Sequence, residues 1–323
     1  FNDDTGIATV KAFFDKNGYN YKIQYLNVKG NFAITENNIC QYVYKHDLKG
    51  NKLEEISLDS LGKIVANSNG FAIKKWKYDK NNNIIQISNY DKYSNPININ
   101  GLYKSKYLIN RYGKDSIAYY YNNKNILMDE NPIIKYKYNL YSSLIEESFF
   151  DKYEKRTKDI NGIYRKRIIM NDEQQIIGYK FYNQYFQKMN GNQGFHYEKI
   201  TLDNYNYVIA YEYFDKYNKP TTISYGYHKI LYKRDSIGES LNFRSYDNKF
   251  NLVEDKNGIA EEVSTIAKTG LMESIKFYDK KGMLTNDENG IAQYFYKPYL
   301  NGLFYIDKEL DKNGKVVNKK NEK

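Results

Sequence analysis

The sequence is poor in the residues from which disulfide scaffolds and metal centres are built. It has one cysteine, Cys40, and three histidines, His46, His196 and His228, among 323 residues. A lone cysteine excludes an intramolecular disulfide, and a zinc site of the usual Cys/His type would need nearly all of these side chains in one place. We therefore expect a fold that depends on no metal, cofactor or disulfide.

Catalytic and membrane signatures are also missing. No Gly-x-Ser-x-Gly, His-Glu-x-x-His or dinucleotide fingerprint occurs, and no apolar run approaches the roughly 20 residues of a membrane-spanning helix. The run 113–116, Gly-Lys-Asp-Ser, lacks the earlier glycine of a phosphate loop. We expect a non-enzymatic protein without a membrane span. If a catalytic site exists, we expect it in the irregular middle, around Tyr103 to Tyr164.

What the sequence has instead is a repeat. Successive units begin 32, 32, 31, 31, 30, 32, 32, 32 and 32 residues apart, and the residue after each starting position is apolar. A constant period of this length indicates a tandem array, which offers a long surface rather than one central pocket. The ten starting positions, called anchors below, are Gly6, Asn38, Gly70, Gly101, Pro132, Gly162, Gly194, Gly226, Gly258 and Gly290.

Turn motifs divide each unit. The segments 15–18, 47–50 and 279–282 have the form Asp-x-x-Gly, in which the Asp side chain bonds the backbone and the glycine accepts positive φ. This pattern is typical of β-hairpins with a type I turn. Asn95 and Asn218, each followed by a proline within two residues, are predicted to replace the glycine. We expect two such turns per unit.

Between the turns lie short runs rich in Tyr, Ile, Phe and Val with alternating polar residues, which predict strands. Each unit is expected to form a strand, a turn, a second strand, a second turn and a short third strand. The fold class is therefore all-β, a tandem array of ten hairpin units in an elongated, twisted antiparallel sheet. A β-solenoid with one coil per unit is the alternative. The prediction is a single array over residues 1–323, with a kink near Pro132 and a solvated tail at 318–323.

Aromatic residues recur six positions after the anchors. This column holds the only tryptophan, Trp76, with Tyr107, Tyr138, Tyr232 and Tyr296. We interpret it as an aromatic spine in or near the core, and as the candidate binding surface if its rings are exposed.

His196 and His228 stand one repeat apart in a neighbouring column, which also contains Cys40. We expect both imidazoles at a partly exposed position. A metal-binding or pH-sensing pair is the alternative, and the pair is included in the candidate surface. Cys40 is interpreted as a small core residue in the place of alanine.

Charge suggests partners without specifying them. The net charge is +10, with 49 basic and 39 acidic residues, and 37 tyrosines accompany the lysines. The excess of positive charge is compatible with an acidic polysaccharide, an anionic surface or single-stranded nucleic acid. The abundance of Lys, Asn, Ile and Tyr together is also what AT-rich codons produce, and we rank that explanation first.

The runs Tyr-Asp-Lys-Asn-Asn-Asn at 78–83 and Phe-Tyr-Asp-Lys-Lys-Gly at 277–282 resemble the Tyr-Asp-x-x-Gly elements of bacterial tandem β-hairpin repeats, such as the YD repeats of Rhs-type proteins. The chain is more loosely similar to MORN-like and WG-type arrays. The period near 32 departs from their shorter units. The resemblance implies a bacterial β-repeat scaffold and carries over neither a toxin-enclosing shell nor any active residue.

From these observations we expect a binding or scaffold protein, secreted or at the cell surface, that presents a Tyr- and Lys-rich β surface to a protein, glycan or anionic polymer. Two alternatives are an interaction module of a larger intracellular effector, regulator or defence protein, and a fibre subunit that self-associates through the ends of the array. The chain begins with Phe1 rather than methionine, so we expect a mature or excised part of a longer protein.

Overall fold

The computed structural model of the chain describes residues 6–128, 133–234, 240–267, 270–298 and 304–317. All regular secondary structure in these ranges is β-strand. The strands form two compact units, residues 1–159 and 160–323, and each unit is described by itself. Pro132, where a kink is predicted, and the predicted tail 318–323 lie outside the described residues.

Within the described ranges, each of these two compact units contains ten strands. Those of the first unit are β1 (Thr9–Phe14), β2 (Asn20–Leu26), β3 (Gln41–His46), β4 (Lys52–Leu58), β5 (Ile73–Tyr78), β6 (Ile84–Tyr90), β7 (Lys104–Ile109), β8 (Asp115–Tyr121), β9 (Ile133–Tyr138) and β10 (Leu144–Phe150). Those of the second unit are β11 (Arg165–Met170), β12 (Ile176–Tyr182), β13 (Tyr197–Leu202), β14 (Val208–Phe214), β15 (Lys229–Arg234), β16 (Ser240–Tyr246), β17 (Glu261–Ile266), β18 (Met272–Tyr278), β19 (Gln293–Pro298) and β20 (Phe304–Leu310).

Within each unit every strand pairs antiparallel with the next strand along the chain. The two strands of a hairpin pair over their whole length, as Gln41–His46 does with Lys52–Leu58. Strands of neighbouring repeats pair over three residues only, as Glu54–Ile56 does with Ile73–Lys75. The predicted antiparallel array of hairpins is thus confirmed, and the alternative of a β-solenoid is wrong because consecutive strands fold back on one another.

Alternation along the strands gives each sheet two different faces. We call "lysine face" the side that carries the first, third and fifth residues of the odd-numbered strands, such as Ile73, Lys75 and Lys77 in β5. The "tyrosine face" carries the second, fourth and sixth residues, such as Tyr42, Tyr44 and His46 in β3. The periodicity of the sequence therefore gives the two faces different side chains in these strands.

A repeat contains three turns where the sequence motifs predict two. In the first repeat of the chain the first two turns are 15–18 and 27–30, closed by bonds from Gly18 N to Asp15 O (3.0 Å) and from Gly30 N to Asn27 O (2.9 Å). The third turn ends on an anchor, where Asn38 N donates to Thr35 O at 2.9 Å. The predicted third strand is reduced to a single bridge residue, such as Phe32 opposite Leu26.

The anchors are the residues of positive φ that close these third turns. Gly70 has φ 89° and Asn38 has φ 58°, a region in which glycine and asparagine carry the least strain. The strand starts three residues later, so the anchors are turn residues and not strand residues. The prediction for Asn95 is also wrong: the turn 91–94 places Ser94 at φ 67°, while Asn95 Nδ2 donates to Asp91 Oδ2 at 3.1 Å. Asn218 does have positive φ, at 62°.

The shorter steps in the middle of the sequence have local causes. Asn100 and Gly101, with φ of 50° and 83°, form a two-residue turn in which Leu102 N donates to Ile99 O at 3.0 Å. Two consecutive residues of positive φ are typical of a type I′ turn, and this turn is one residue shorter than its equivalents. β9 begins one residue after Pro132 instead of three, so Pro132 is out of register with the other anchors.

The buried residues lie mainly near the connectors between hairpins. The two residues after an anchor are the most regular of them: Ile39 is fully buried and Cys40 is 3% exposed. Cys40 therefore occupies a core position, as predicted, at the place where Ala72, Ala260 and Ala292 are fully buried. In the second unit Phe195, Tyr213 and Ile223 form a buried cluster extended by Phe181, Tyr211 and Tyr227. Buried residues next to the anchors recur from repeat to repeat in the described ranges, as expected for a tandem array.

Candidate functional site

The predicted aromatic column lies on the tyrosine face and is half-buried. Trp76, Tyr107, Tyr232 and Tyr296 are each the fourth residue of their strand. The Trp76 ring is covered by the ammonium groups of Lys52, 4.7 Å from its centroid, and Lys74, 5.5 Å away. Rings so covered contribute to packing, and whether they also bind a partner stays a prediction.

Tyr138 differs from the other column members. It is the sixth residue of β9, and Tyr136 occupies the fourth position, because β9 starts close to Pro132. The Tyr138 hydroxyl donates to the Asp115 carbonyl at 2.8 Å, as the Tyr78 hydroxyl does to the Lys52 carbonyl at 2.9 Å. Tyr138 is thus the equivalent of Tyr78, at the end of a strand.

Both histidines of the predicted pair are buried, so the expectation of a partly exposed position is wrong. His196 is 0% and His228 4% exposed. Each packs edge-on against the ring at the end of the previous hairpin, His196 against Tyr182 and His228 against Phe214. Burial lowers the pKa of His196, although a hydrogen bond between Nδ1 and the Phe181 carbonyl opposes the shift. The neutral imidazole acts as a core ring.

On the lysine face several basic side chains have acidic partners. Glu54 lies between Lys45 and Lys75 and forms ion pairs with both, at 3.3 Å to Lys75. Glu212 in the second unit bridges Lys199 and Lys229 in the same way, at 3.1 and 3.3 Å. A carboxylate on the central strand is therefore how this face compensates two neighbouring lysines.

Between β5 and β7 the central strand supplies no such carboxylate. β5 presents Lys75 and Lys77, and β7 presents Lys104 and Lys106. The strand between them is β6. Its Gln86 lies between Lys77 and Lys106, and its Ser88 lies between Lys75 and Lys104. We call Lys75, Lys77, Lys104 and Lys106 the four-lysine patch. The two lysines of one strand lie about 7 Å apart, and those of β5 lie about 10 Å from those of β7 across β6.

The positive charge of the four-lysine patch affects the pKa of the Tyr90 phenol. Its oxygen accepts hydrogen bonds from Tyr103 (3.0 Å) and Ser88 (3.4 Å), and Lys75 lies 4.8 Å from its ring centroid. Burial raises the pKa of Tyr90, but these hydrogen bonds and the charges of Lys75 and Lys77 outweigh it, so the pKa lies below that of an ordinary tyrosine. A group near the patch is thus more readily made negative.

Lys104 forms the buried corner of the patch. It is 7% exposed, its ammonium group donates to Asn125 Oδ1, and it lies 4.6 Å from the Tyr121 ring centroid. Burial and the charges of Lys106 and Lys77 lower the pKa of Lys104. The two outer lysines, Lys77 and Lys106, are exposed, so their positive charges are accessible from solvent.

A set of strongly exposed tyrosines lies in the second turns and was not predicted from the strand pattern. Tyr93, Tyr153, Tyr185 and Tyr217 are 69–74% exposed, each at the third position of a second turn. A lysine precedes three of them and lies over the ring, as Lys92 does 5.1 Å from Tyr93. The signal was present in the sequence, because a turn tip cannot bury its central residues.

No group of three or more His, Cys, Asp or Glu side chains within the described ranges is arranged to hold a metal ion. In the same ranges no helix is long and apolar enough to cross a membrane.

Comparison with solved structures finds Tc toxin assemblies. The chain is similar to part of a TcdB2-TccC3 crystal structure, with 10% identity, 93% of this chain and 18% of that chain covered, and a TM-score of 0.37. It is also similar to part of the Photorhabdus luminescens Tc holotoxin pore, with 11% identity, coverage of 95% and 17%, and a TM-score of 0.31. A porin-like protein from Bacteroides uniformis follows, with 8% identity, coverage of 82% and 86%, and a TM-score of 0.22.

The chain thus spans less than a fifth of the two toxin chains that it matches. No protein-family model and no curated protein matches the sequence. The assignment to antiparallel hairpin repeats rests on the strand pairing itself.

Proposed function

We propose that the protein is a non-enzymatic binding scaffold whose four-lysine patch binds an acidic polysaccharide. The observation that carries this proposal is the absence of a carboxylate between the two lysine pairs: β6 supplies Gln86 and Ser88 where β4 supplies Glu54. Lys75 is ion-paired with Glu54 on its other side, but no carboxylate of β6 separates the two lysine pairs, and such an excess of positive charge on a regular sheet suits a ligand with repeated negative charges.

Acidic polysaccharide is favoured over single-stranded nucleic acid because of the aromatic rings. Nonspecific binding of single strands depends on bases that stack on open aromatic faces. At the patch, Lys75 lies over Tyr90, and Lys104 and Lys106 lie over Tyr121 at 4.6 and 5.5 Å. The ring faces are therefore occupied, and ammonium, amide and hydroxyl groups remain for the ligand.

The test compares two double variants of equal charge. Lys77→Gln with Lys106→Gln removes the exposed half of the patch. Lys45→Gln with Lys137→Gln removes two exposed lysines of the same face that are ion-paired with Glu54 and Glu146. Affinity for heparin is measured over a range of salt concentrations, with uncharged dextran as the blank and an oligothymidylate as the competing class.

Each surface lysine contributes about 1 kcal/mol to binding an anionic surface, so the patch variant should bind heparin roughly thirtyfold more weakly and with a smaller salt dependence. The control variant should bind nearly as well as the unmodified protein. Equal losses in both variants, or tight binding of the oligothymidylate without heparin, would show that the proposal is wrong.

We further propose that the protein works at the cell surface or in secreted form, where acidic polysaccharides are abundant. Cleavage of the protein by a protease added to intact cells tests this placement, and full protection in intact cells with cleavage after lysis would contradict it.

A further inference from the structure

We propose that a cleft in the second unit binds a neutral sugar. The cleft has a volume of about 350 Å³, within the lower range of small-molecule sites. It lies between the third turns of two neighbouring repeats and the tyrosine face of β11–β13. Its polar lining includes Asn161, Gln193 and Glu198, and its apolar lining includes Ile163, Phe181 and Phe195.

The first observation is a turn that lacks its usual cap. In the turn 255–258, Asp255 Oδ1 accepts from Asn257 N at 2.8 Å and from Ile259 N at 2.9 Å. Asp287 caps the turn 287–290 in the same way, at 2.9 Å for both bonds. Two backbone N–H groups of a third turn thus converge on one oxygen atom.

In the turn 191–194 glycine replaces this aspartate. The equivalent N–H groups are those of Gln193 and Phe195, and no side chain of a described residue accepts a hydrogen bond from either. Both residues line the cleft, together with Gly191. The turn keeps its backbone bonds, from Gly194 N to Gly191 O and from Gly191 N to Phe195 O, both 2.9 Å. Two paired donors are therefore available to an oxygen atom of a ligand.

The second observation is an acceptor in the same cleft. Glu198 makes no ion pair or hydrogen bond with another described residue, and burial raises its pKa although the charge of Lys166 opposes the shift. A half-buried carboxylate without a donor from the chain can accept hydrogen bonds from the hydroxyl groups of a ligand.

The charges of the lining select the class of ligand. Glu198 repels an anion, which the paired N–H groups alone would attract. Lys166, whose ammonium group lies 4.8 Å from the Tyr179 ring, repels a cation. A neutral molecule whose hydroxyl groups both donate and accept satisfies the N–H pair and the carboxylate together, and Phe181 and Phe195, with ring centroids 5.1 Å apart, offer an apolar wall to its C–H groups.

Two substitutions test the site. Gly191→Asp supplies from within the chain the oxygen that the ligand would provide, as Asp255 does two repeats later, and should therefore compete with the ligand. Glu198→Gln removes the carboxylate. The matched control is Glu262→Gln, because Glu262 occupies the same position of its strand two repeats later, has a pKa raised by burial, and lies outside the cleft.

Binding is measured by saturation-transfer NMR with D-glucose, D-galactose, D-mannose and N-acetyl-D-glucosamine, and with acetate as an anionic probe. We expect saturable binding of at least one sugar, at least tenfold weaker binding in the Gly191→Asp and Glu198→Gln variants, and unchanged binding in the Glu262→Gln variant. Circular dichroism verifies that each variant is folded. If the Gly191→Asp variant does not fold, the comparison of sugar binding by the Glu198→Gln and Glu262→Gln variants still tests the site.

The proposal is overturned if none of the four sugars binds saturably, if acetate binds better than every sugar, or if Glu262→Gln weakens binding as much as Glu198→Gln. The site is independent of the four-lysine patch. The Lys77→Gln, Lys106→Gln protein should therefore bind the sugar normally whether or not it has lost heparin binding.

Discussion

The hydroxyl of Tyr103 donates a hydrogen bond of 3.0 Å to the hydroxyl of Tyr90, so one phenol stabilises the ionised form of the other. Burial raises the pKa of Tyr103, whereas the pKa of Tyr90 is lowered by its donors and by the neighbouring lysines despite its burial. Two tyrosines in contact thus titrate in opposite directions because only one of them accepts.

The first prediction concerns this pair. With ¹³C-labelled tyrosine, NMR titration should show Tyr90 ionising at a lower pH than most other tyrosines, with a pKa below 10. Tyr103→Phe removes the donor and should raise the pKa of Tyr90. Tyr107→Phe, a change of the same size on the other face, should leave it unchanged. A Tyr90 pKa that is identical in all three proteins would contradict the assigned hydrogen bond.

The second prediction contrasts two carboxylates. Glu262 lies on the tyrosine face opposite Phe243 and Phe277, and burial raises its pKa. Its contribution to stability is therefore greatest below the unfolded pKa near 4.5 and is lost as pH rises through the higher folded pKa. Glu262→Gln should raise the free energy of unfolding at pH 7 by about 1 kcal/mol and have little effect at pH 4.

Glu54→Gln should instead lower the free energy of unfolding at pH 7. Burial raises the pKa of Glu54, but Lys45 and Lys75 outweigh it and the net shift is downward. The stabilisation by Glu54 is present above pH 4.5 and is lost as pH falls through the lower folded pKa. Urea unfolding of both variants at pH 7 and pH 4 gives the comparison, and a Glu262→Gln protein less stable than the unmodified one at pH 7 would refute the assignment.

The third prediction concerns acid sensitivity. The pKa of His196 is lowered by burial, so its neutral form stabilises the fold above the unfolded pKa near 6.5, and this stability is lost as pH falls through the folded pKa. Unfolding free energies between pH 7.5 and 5 should decrease less steeply for His196→Gln than for the unmodified protein. An unchanged slope in the His196→Gln protein would contradict this assignment.

The fourth prediction separates two neighbouring turn residues. Ser94 has φ 67°, so Ser94→Gly relieves a strained conformation and should stabilise the protein by roughly 0.5–1 kcal/mol. Asn95→Gly relieves no strain and removes the bond to Asp91, so it should destabilise by about 1 kcal/mol. Thermal unfolding measures both, and a reversal of the two signs would place the left-handed residue at 95.

Much of the fold follows from the sequence because turn chemistry and alternation are local. Asp15 with Gly18 specifies a hairpin, and the alternation of Lys and aromatic residues in 73–78 specifies two unlike faces. The third turn was missed because its first residue varies from Thr35 to Gly191, and only its closing residue is regular. Register near Pro132 was misjudged because a fixed spacing was assumed across a changed connector.

The candidate sites depend on contacts that the sequence does not display. The four-lysine patch exists because β5 and β7 lie on either side of β6, and residues 77 and 106 are brought together only by that pairing. The exposure of turn residues such as Tyr153 was not predicted, because the aromatic column that repeats in the sequence lies on the strands. The cleft depends on Gly191, whose meaning appears only beside the turns that keep an aspartate, such as 255–258.

The difference between six-residue pairing inside a hairpin and three-residue pairing between repeats has a mechanical consequence. Each seam between repeats has half the backbone ladder of a hairpin, and a side-chain bond such as that from Tyr78 to the Lys52 carbonyl fastens its open end. A pulling force applied along the chain should therefore separate whole hairpins at the seams before any hairpin opens. Single-molecule extension should proceed in steps of one repeat, with Tyr78→Phe weakening one rung of the series.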